Sequence, residues 1–166
     1  MKESDFLDEN AVIVERLKQL PILRTFDKDD IKGLMQFSKV REYDVDEVII
    51  REGDTDTCIF FILSGKVIVE KDGVELAELG QPGDVFGEMA VIQSRPRSAT
   101  VRAFDKTLCL MVDSSYMDML DKTDKSTFMY IIFRIFSILL ANRLRETTDS
   151  LIAAKREIDR LKEGSP

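Results

Sequence analysis

Between Phe86 and Val101 the chain gathers residue types that suit an anion lying beside a hydroxyl. The run reads Phe86-Gly87-Glu88-Met89-Ala90-Val91-Ile92-Gln93-Ser94-Arg95-Pro96-Arg97-Ser98-Ala99-Thr100-Val101. Gly87 permits positive φ, or a close backbone approach to a ligand where a side chain would clash. Glu88 to Ile92 favour a short helix, whose first backbone N–H groups lack intrahelical partners and can meet an anion. Glu88 at that end suits the helix dipole and can also accept a hydrogen bond from a hydroxyl. Arg97 follows Pro96, which stiffens the chain just before it. A guanidinium reaching back to the helix start offers a fork for two phosphate oxygens, and Ser98 adds a hydroxyl and an N–H beside it. Taken singly, each part has a plainer reading: Glu88 caps its helix, Arg97 faces solvent, or the two pair with each other. Taken together, cation, amides and carboxylate suit a phosphate next to a sugar hydroxyl.

The elements that must hold these residues are mostly strands. Val48-Ile49-Ile50, Cys58 to Leu63, Lys66 to Glu70, Val74 to Leu79, Ala99 to Ala103 and Leu108 to Val112 are short apolar runs. Turn residues separate them at Gly53-Asp54, Ser64-Gly65, Asp72-Gly73 and Gly80-Gln81-Pro82-Gly83. Asp72-Gly73 is a hairpin signal, and many short strands at near-regular spacing indicate a small sandwich or barrel. The fold expected is α+β and mainly β: a jelly-roll β-barrel with N-terminal helices, a short cassette helix and a long C-terminal dimerisation helix. Its parts are a helical element over 1–39, the roll over 40–113 with the cassette at 86–101, and helices over 114–166.

At the N-terminal side, Val12, Leu17 and Leu20 among charges predict a helix over 8–20, ended by Pro21. Asp27-Lys28-Asp29-Asp30 predicts a second helix start; this acidic run lacks the spacing and turn glycine of a calcium loop. Beyond the roll, Ser114 to Leu120 reads as a short helix. Ser126 then caps a helix running to about Glu163, roughly 57 Å long. Leu140, Leu144, Thr147, Leu151, Ala154, Ile158 and Leu161 alternate steps of four and three along it. That is a heptad seam with one polar member, and it points to a parallel pair of helices between two copies, a homodimer.

Composition bounds the function. The 166 residues carry a net charge of -7, which disfavours a general nucleic-acid surface but allows one local anion pocket. Histidine is absent, so the commonest general base is missing. No metal-ligand cluster or nucleophile-plus-base pattern appears, and neither an enzyme nor a metal site is expected. The apolar stretch Met129 to Leu140 is broken by Arg134, so no membrane span is expected. Without the layout of a signal peptide, and with Cys58 and Cys109 inside apolar runs, the chain reads as cytoplasmic with reduced core thiols.

Phe86-Gly87-Glu88-hydrophobic-Ala90, a short spacer, and Pro96-Arg97-Ser98-Ala99-Thr100-Val101 together resemble the phosphate-binding cassette of cyclic-nucleotide-binding domains. The spacing from Gly87 to Arg97 is similar to that in protein kinase A regulatory subunits. Leu20-Pro21-Ile22-Leu23, Glu52-Gly53-Asp54, Phe60 to Gly65 and Leu79 to Asp84 resemble other parts of the same domain. The resemblance implies that Glu88 holds the ribose 2′-hydroxyl and that Arg97 pairs with the exocyclic phosphate oxygens. It further implies contacts from Phe86, Gly87, Met89, Ala90, Ser98 and Ala99, and a C-terminal helix serving as a lid over the base. Ala141 to Thr148 is similar to the dimer helix of the bacterial catabolite activator, where a Thr-Ser pair contacts adenine from both subunits. Thr147 and Thr148 occupy the matching places, which favours cAMP over cGMP as ligand; Ser98 decides little between them. The catabolite activator continues into a helix-turn-helix domain, whereas this sequence ends at Pro166, so DNA is not an expected partner. The function expected is a non-catalytic cyclic-nucleotide sensor acting on a downstream protein that the sequence does not identify. The alternative is a scaffold of the same fold that works through protein contacts without ligand.

Overall fold

A computed structural model describes residues 2–4, 10–93, 95–115 and 122–163. Strand β1 (Lys2–Ser4) is followed by helix α1 (Asn10–Gln19), a 3-10 turn at Pro21–Leu23 and helix α2 (Lys28–Met35). The strands β2 (Ser38–Tyr43), β3 (Val48–Ile50), β4 (Cys58–Ser64), β5 (Val67–Lys71), β6 (Val74–Leu79) and β7 (Val85–Phe86) come next. Helix α3 (Glu88–Gln93), strands β8 (Thr100–Ala103) and β9 (Thr107–Asp113), and helix α4 (Lys122–Glu163) complete the order. One antiparallel sheet runs β1-β2-β9-β4-β7 and the other β3-β8-β5-β6, a sandwich of jelly-roll type.

The apolar run in β4 has a simple cause, since both faces of this strand are covered. Side chains alternate across a strand. Phe60 and Ile62 point between the sheets, with Phe86, Val101, Cys109 and Met111. Ile59 and Phe61 point outward onto the helices, with Leu110 and Val112 of β9. That outer layer also holds Leu17, Leu23, Ile31 and Leu34, together with Phe128, Ile131, Ile135 and Leu139 of α4. The β5–β6 hairpin turns at Asp72 (φ 51°) and Gly73 (φ 76°), the paired positive φ values of a tight two-residue turn.

Each helix start has a local reason. Asp27 accepts from the backbone N–H groups of Asp29 and Asp30, while the Asp30 carboxylate accepts from Asp27 N–H, a reciprocal cap. Pro21 opens the 3-10 turn, and Leu20, Ile22 and Leu23 are buried around it. Helix α4 starts at Lys122, four residues before the position expected. Ser126 is not its cap: the hydroxyl donates to Lys122 O inside the helix. Three strands lay outside the sequence reading, namely β1, β2 and β7. The helix expected over 114–120 falls mostly outside the described residues.

One expectation about α4 is corrected. A window within Lys125–Lys162 is apolar and long enough to cross a membrane by length and hydropathy alone. In this fold Phe128, Ile131, Ile132, Ile135, Phe136 and Leu139 of that helix are buried in the protein's own core. Past Leu139 every described side chain is exposed except the half-buried Arg143.

Candidate functional site

The cassette is fixed at both ends. At its entrance, β7 pairs with β4 through Phe60↔Phe86 and Phe61↔Val85. The Phe60 and Phe86 rings stack at 5.0 Å with 6° between planes. At its exit, Arg97 N–H donates to Asp54 O (2.7 Å) and Gly53 N–H donates to Arg97 O (2.9 Å), tying the 95–99 loop to the turn after β3. Glu52 N–H also donates to the Thr100 hydroxyl at 3.1 Å. Gly87, with φ +82°, makes the corner between β7 and α3. A Cβ there would lie 2.8 Å from Arg97 Nη1 and 2.9 Å from Cys58 O, so only glycine fits without displacement.

Arg97 is buried, with its side chain 2% exposed. Its Nη1 donates to Gly87 O (2.6 Å) and its Nη2 donates to Cys58 O (2.6 Å). Nε donates to Asp56 Oδ2 (3.1 Å), and Nη2 also pairs with Asp56 Oδ1. Thus the Nε–Nη2 fork expected to hold phosphate is occupied by Asp56. A guanidinium this buried needs a carboxylate, because an unpaired charge in a dry site is costly. Four of its five N–H donors are used, which leaves one on Nη1. Burial pushes the Asp56 carboxyl up, but the Arg97 hydrogen bond, the Cys58 N–H and the guanidinium charge outweigh it and hold it below the usual carboxylate range.

Glu88 opens α3 and is also buried, its side chain 3% exposed. It does not pair with Arg97. Arg143 of α4 donates from Nη1 to Glu88 Oε1 (2.5 Å) and from Nη2 to Val85 O (2.7 Å). The C-terminal helix is therefore latched to the cassette through the carboxylate expected to meet a ribose. Between them lies a cavity of about 300 Å³. Phe86, Gly87, Glu88, Met89, Ala90, Arg97, Ser98 and Ala99 line it, the eight cassette positions expected from sequence. Ile50, Val69, Ala77, Leu79 and Val101 form its apolar walls, and α4 contributes Arg143 and Glu146.

Thr147 and Thr148 are not brought to this cavity in their own chain. Both are exposed, and their hydroxyls donate back to Arg143 O and Leu144 O of their own helix. Sequence reasoning missed Asp56, which lies 41 positions from Arg97 with no local pattern linking them. It also missed Arg143 and Glu146, although both stand in the 141–148 stretch already singled out. The two cysteines are free thiols, each pushed up to about 12, chiefly by burial. Among the described residues no cluster of His, Cys, Asp or Glu could hold a metal ion.

Comparison with known proteins places the chain in a family. The family model described as "Cyclic nucleotide-binding domain" matches residues 40–124. Glutaminase 2 of Bradyrhizobium diazoefficiens is 33% identical over 162 residues, 97% of this chain and 23% of that protein. The cAMP-dependent protein kinase regulatory subunit of Dictyostelium discoideum is 35% identical over 107 residues, 60% of this chain and 32% of that one. The chain thus matches under a third of the length of these curated relatives. In structure, a cyclic nucleotide-binding domain from Methylobacillus flagellatus superposes with a TM-score of 0.71 at 22% identity, covering 89% of this chain and 85% of that one.

Proposed function

Since this chain belongs to the cyclic nucleotide-binding domain family, we propose that it is a non-catalytic sensor module whose cassette holds a purine 3′,5′-cyclic monophosphate. The observation that carries this reading is the buried pairing of opposite chemistries on either side of Gly87. Arg97 supplies a cation with one Nη1 N–H left to donate. Glu88 supplies an acceptor suited to a ribose hydroxyl. The apolar walls at Ile50, Val69, Ala77 and Leu79 suit a planar base. A ribose hydroxyl bound to Glu88 would share that carboxylate with Arg143, so ligand binding is linked to the position of α4. A ligand shifts such an equilibrium by its differential affinity for the two arrangements.

The proposed assembly is a homodimer. Leu140, Leu144, Thr147, Leu151, Ala154, Ile158 and Leu161 are all exposed, and the same alternation runs back through Ser137, Phe133 and Tyr130, which are exposed too. Pairing two copies along this stripe would bury it. The adenine preference proposed from Thr147 and Thr148 depends on this pairing, because neither reaches the cavity of its own chain. A reduced cytoplasmic setting, where Cys58 and Cys109 stay thiols, completes the reading.

A second reading keeps the fold as a ligand-free scaffold. It is favoured by the fact that Arg97 and Glu88 already have partners in Asp56 and Arg143. Titration calorimetry with cAMP and cGMP separates the two. Binding is expected, and Arg97→Ala is expected to weaken it by about one to two decades, the equivalent of one charge-assisted contact. No heat and no thermal shift with either nucleotide would leave the scaffold reading standing. Sedimentation equilibrium tests the dimer, and a monomer mass throughout would remove the shared-threonine assignment.

A further inference from the structure

Ser98 is exposed, lies on non-helical backbone between α3 and β8, and lines the cavity next to Arg97. Its hydroxyl holds no strong hydrogen bond among the described residues; it donates only to Met89 Sδ, at 3.9 Å. Arginines stand at both the first and the third position before it, Arg97 and Arg95, and no other serine or threonine in the chain has that pair. Arg97 is buried, but Arg95 is exposed. Three other hydroxyl residues have an arginine three positions earlier, and all three are committed. Thr100 is half-buried and accepts from Glu52 N–H. Ser137 and Thr148 donate to Phe133 O and Leu144 O inside α4.

We propose that Ser98 is the acceptor for an arginine-directed serine kinase, and that the phosphate it receives fills the anion end of the cavity and excludes the cyclic nucleotide. The exclusion rests on the proposed function of the cavity. In the transfer, Ser98 Oγ attacks the γ-phosphorus of a magnesium-bound nucleoside triphosphate. A new O–P bond forms, the bond to the β,γ-bridging oxygen breaks, and the nucleoside diphosphate leaves. The hydroxyl proton passes to the carboxylate base of the kinase. A kinase that presents acidic groups to the residues ahead of its acceptor reads such a charge pattern, here through Arg95. The phosphoserine brings about 1.5–2 negative charges and three acceptor oxygens. Arg97, the adjacent residue, still has one Nη1 N–H to donate. Because this anion is tethered, it competes with free nucleotide at an effective concentration on the order of millimolar. A cyclic phosphate entering the same 300 Å³ cavity then meets both its bulk and its like charge. The exclusion is reciprocal: bound nucleotide covers Ser98 and shields it from the kinase.

The test has two arms, both on the full chain. In the first, wild type, Ser98→Ala and Arg95→Ala are incubated with ATP, magnesium and the isolated catalytic subunit of cAMP-dependent protein kinase as the arginine-directed enzyme. Incorporation is mapped by mass spectrometry. One phosphate on Ser98 is expected in the wild type and none there in Ser98→Ala. Arg95→Ala and saturating cAMP are each expected to slow it about tenfold. In the second arm, phosphoserine is encoded at position 98 and cAMP binding is measured before and after phosphatase treatment. The affinity is expected to fall at least about a hundredfold and to return on dephosphorylation, which mere damage to the fold would not do. Wild type left unmodified at Ser98 overturns the acceptor assignment. Phosphoserine protein that binds cAMP within threefold of the unmodified chain overturns the exclusion and leaves the sensor reading intact. Failure of the unmodified chain to bind either nucleotide overturns the sensor reading and the exclusion together.

Discussion

Replacing Arg143 by methionine removes the only cation that meets the Glu88 carboxylate among the described residues, and keeps much of the aliphatic stem. Glu88 is left buried with its charge unanswered, and Val85 O loses its Nη2 donor. A charged pair at about 4 Å has a gross attraction of roughly 4 kcal/mol at an effective dielectric of 20. Hydrogen bonds to charged groups contribute a net of about 1.5–3 kcal/mol. Because the Arg143 side chain is 38% exposed, solvent screening places the pair near the lower end. A total loss of about 2 kcal/mol is therefore expected, a fall in Tm of roughly 4–8 °C for a chain of this size. The assay is urea unfolding at one fixed protein concentration, since dimerisation would make stability concentration-dependent. Wild type, Arg143→Met, Glu88→Gln and the double variant close a cycle. A coupling energy of about 1–2 kcal/mol is expected, because the second substitution no longer strands a charge. Additivity of the two single losses within about 0.5 kcal/mol would refute the latch as an energetic link between α4 and the cassette.

Two further outcomes follow from the cassette itself. Asp56 is held below its ordinary value of 3.8, so its contribution to stability is fully present above that pH and lost as pH falls through the lower folded value. Asp56→Asn should therefore lower stability near neutral pH and flatten the stability profile below about pH 4, followed by circular dichroism; an unchanged acid limb would remove Asp56 from that role. Gly87→Ala places a Cβ at φ +82° within 2.8 Å of Arg97 Nη1, so a loss of at least about 1 kcal/mol in unfolding free energy is expected, together with weaker nucleotide binding. An alanine variant of wild-type stability and affinity would show that the corner relaxes freely.

The fold was legible where a local pattern carried it. The β5–β6 hairpin followed from Asp72-Gly73, α2 from its acidic first turn, and the length of α4 from its unbroken helix-forming sequence. β7 escaped because two residues carry no period, although its pairing with β4 is what aims Gly87 and Glu88. β1 escaped for a similar reason, since Lys2-Glu3-Ser4 is polar and its strand exists through its partner β2. At the site, the cassette positions were readable because they fall in two short runs, 86–90 and 97–99, of one segment. Asp56 and Arg143 were not, because their roles arise from burial: each answers a charge that folding removes from water. The threonine pair shows the converse. Thr147 does lie on the exposed helical stripe that its spacing predicts, but that spacing says nothing of distance to the cassette, and neither threonine lines the cavity of its own chain.

The strand order has a consequence for how the chain is made. β9 is the last described strand in sequence, yet it lies in the middle of its sheet, hydrogen-bonded to β2 on one side and β4 on the other. Neither neighbour can complete its ladder until Asp113 has left the ribosome. At 5–20 residues per second, the apolar run from Cys58 to Leu63 waits roughly 3–11 s for its partner. During that interval a strand with two hydrophobic faces is open to any other unpaired edge, including that of a neighbouring nascent chain. Ribosome-arrested chains released before β9 should accordingly be the species that chaperones hold, and those released after it should resist protease.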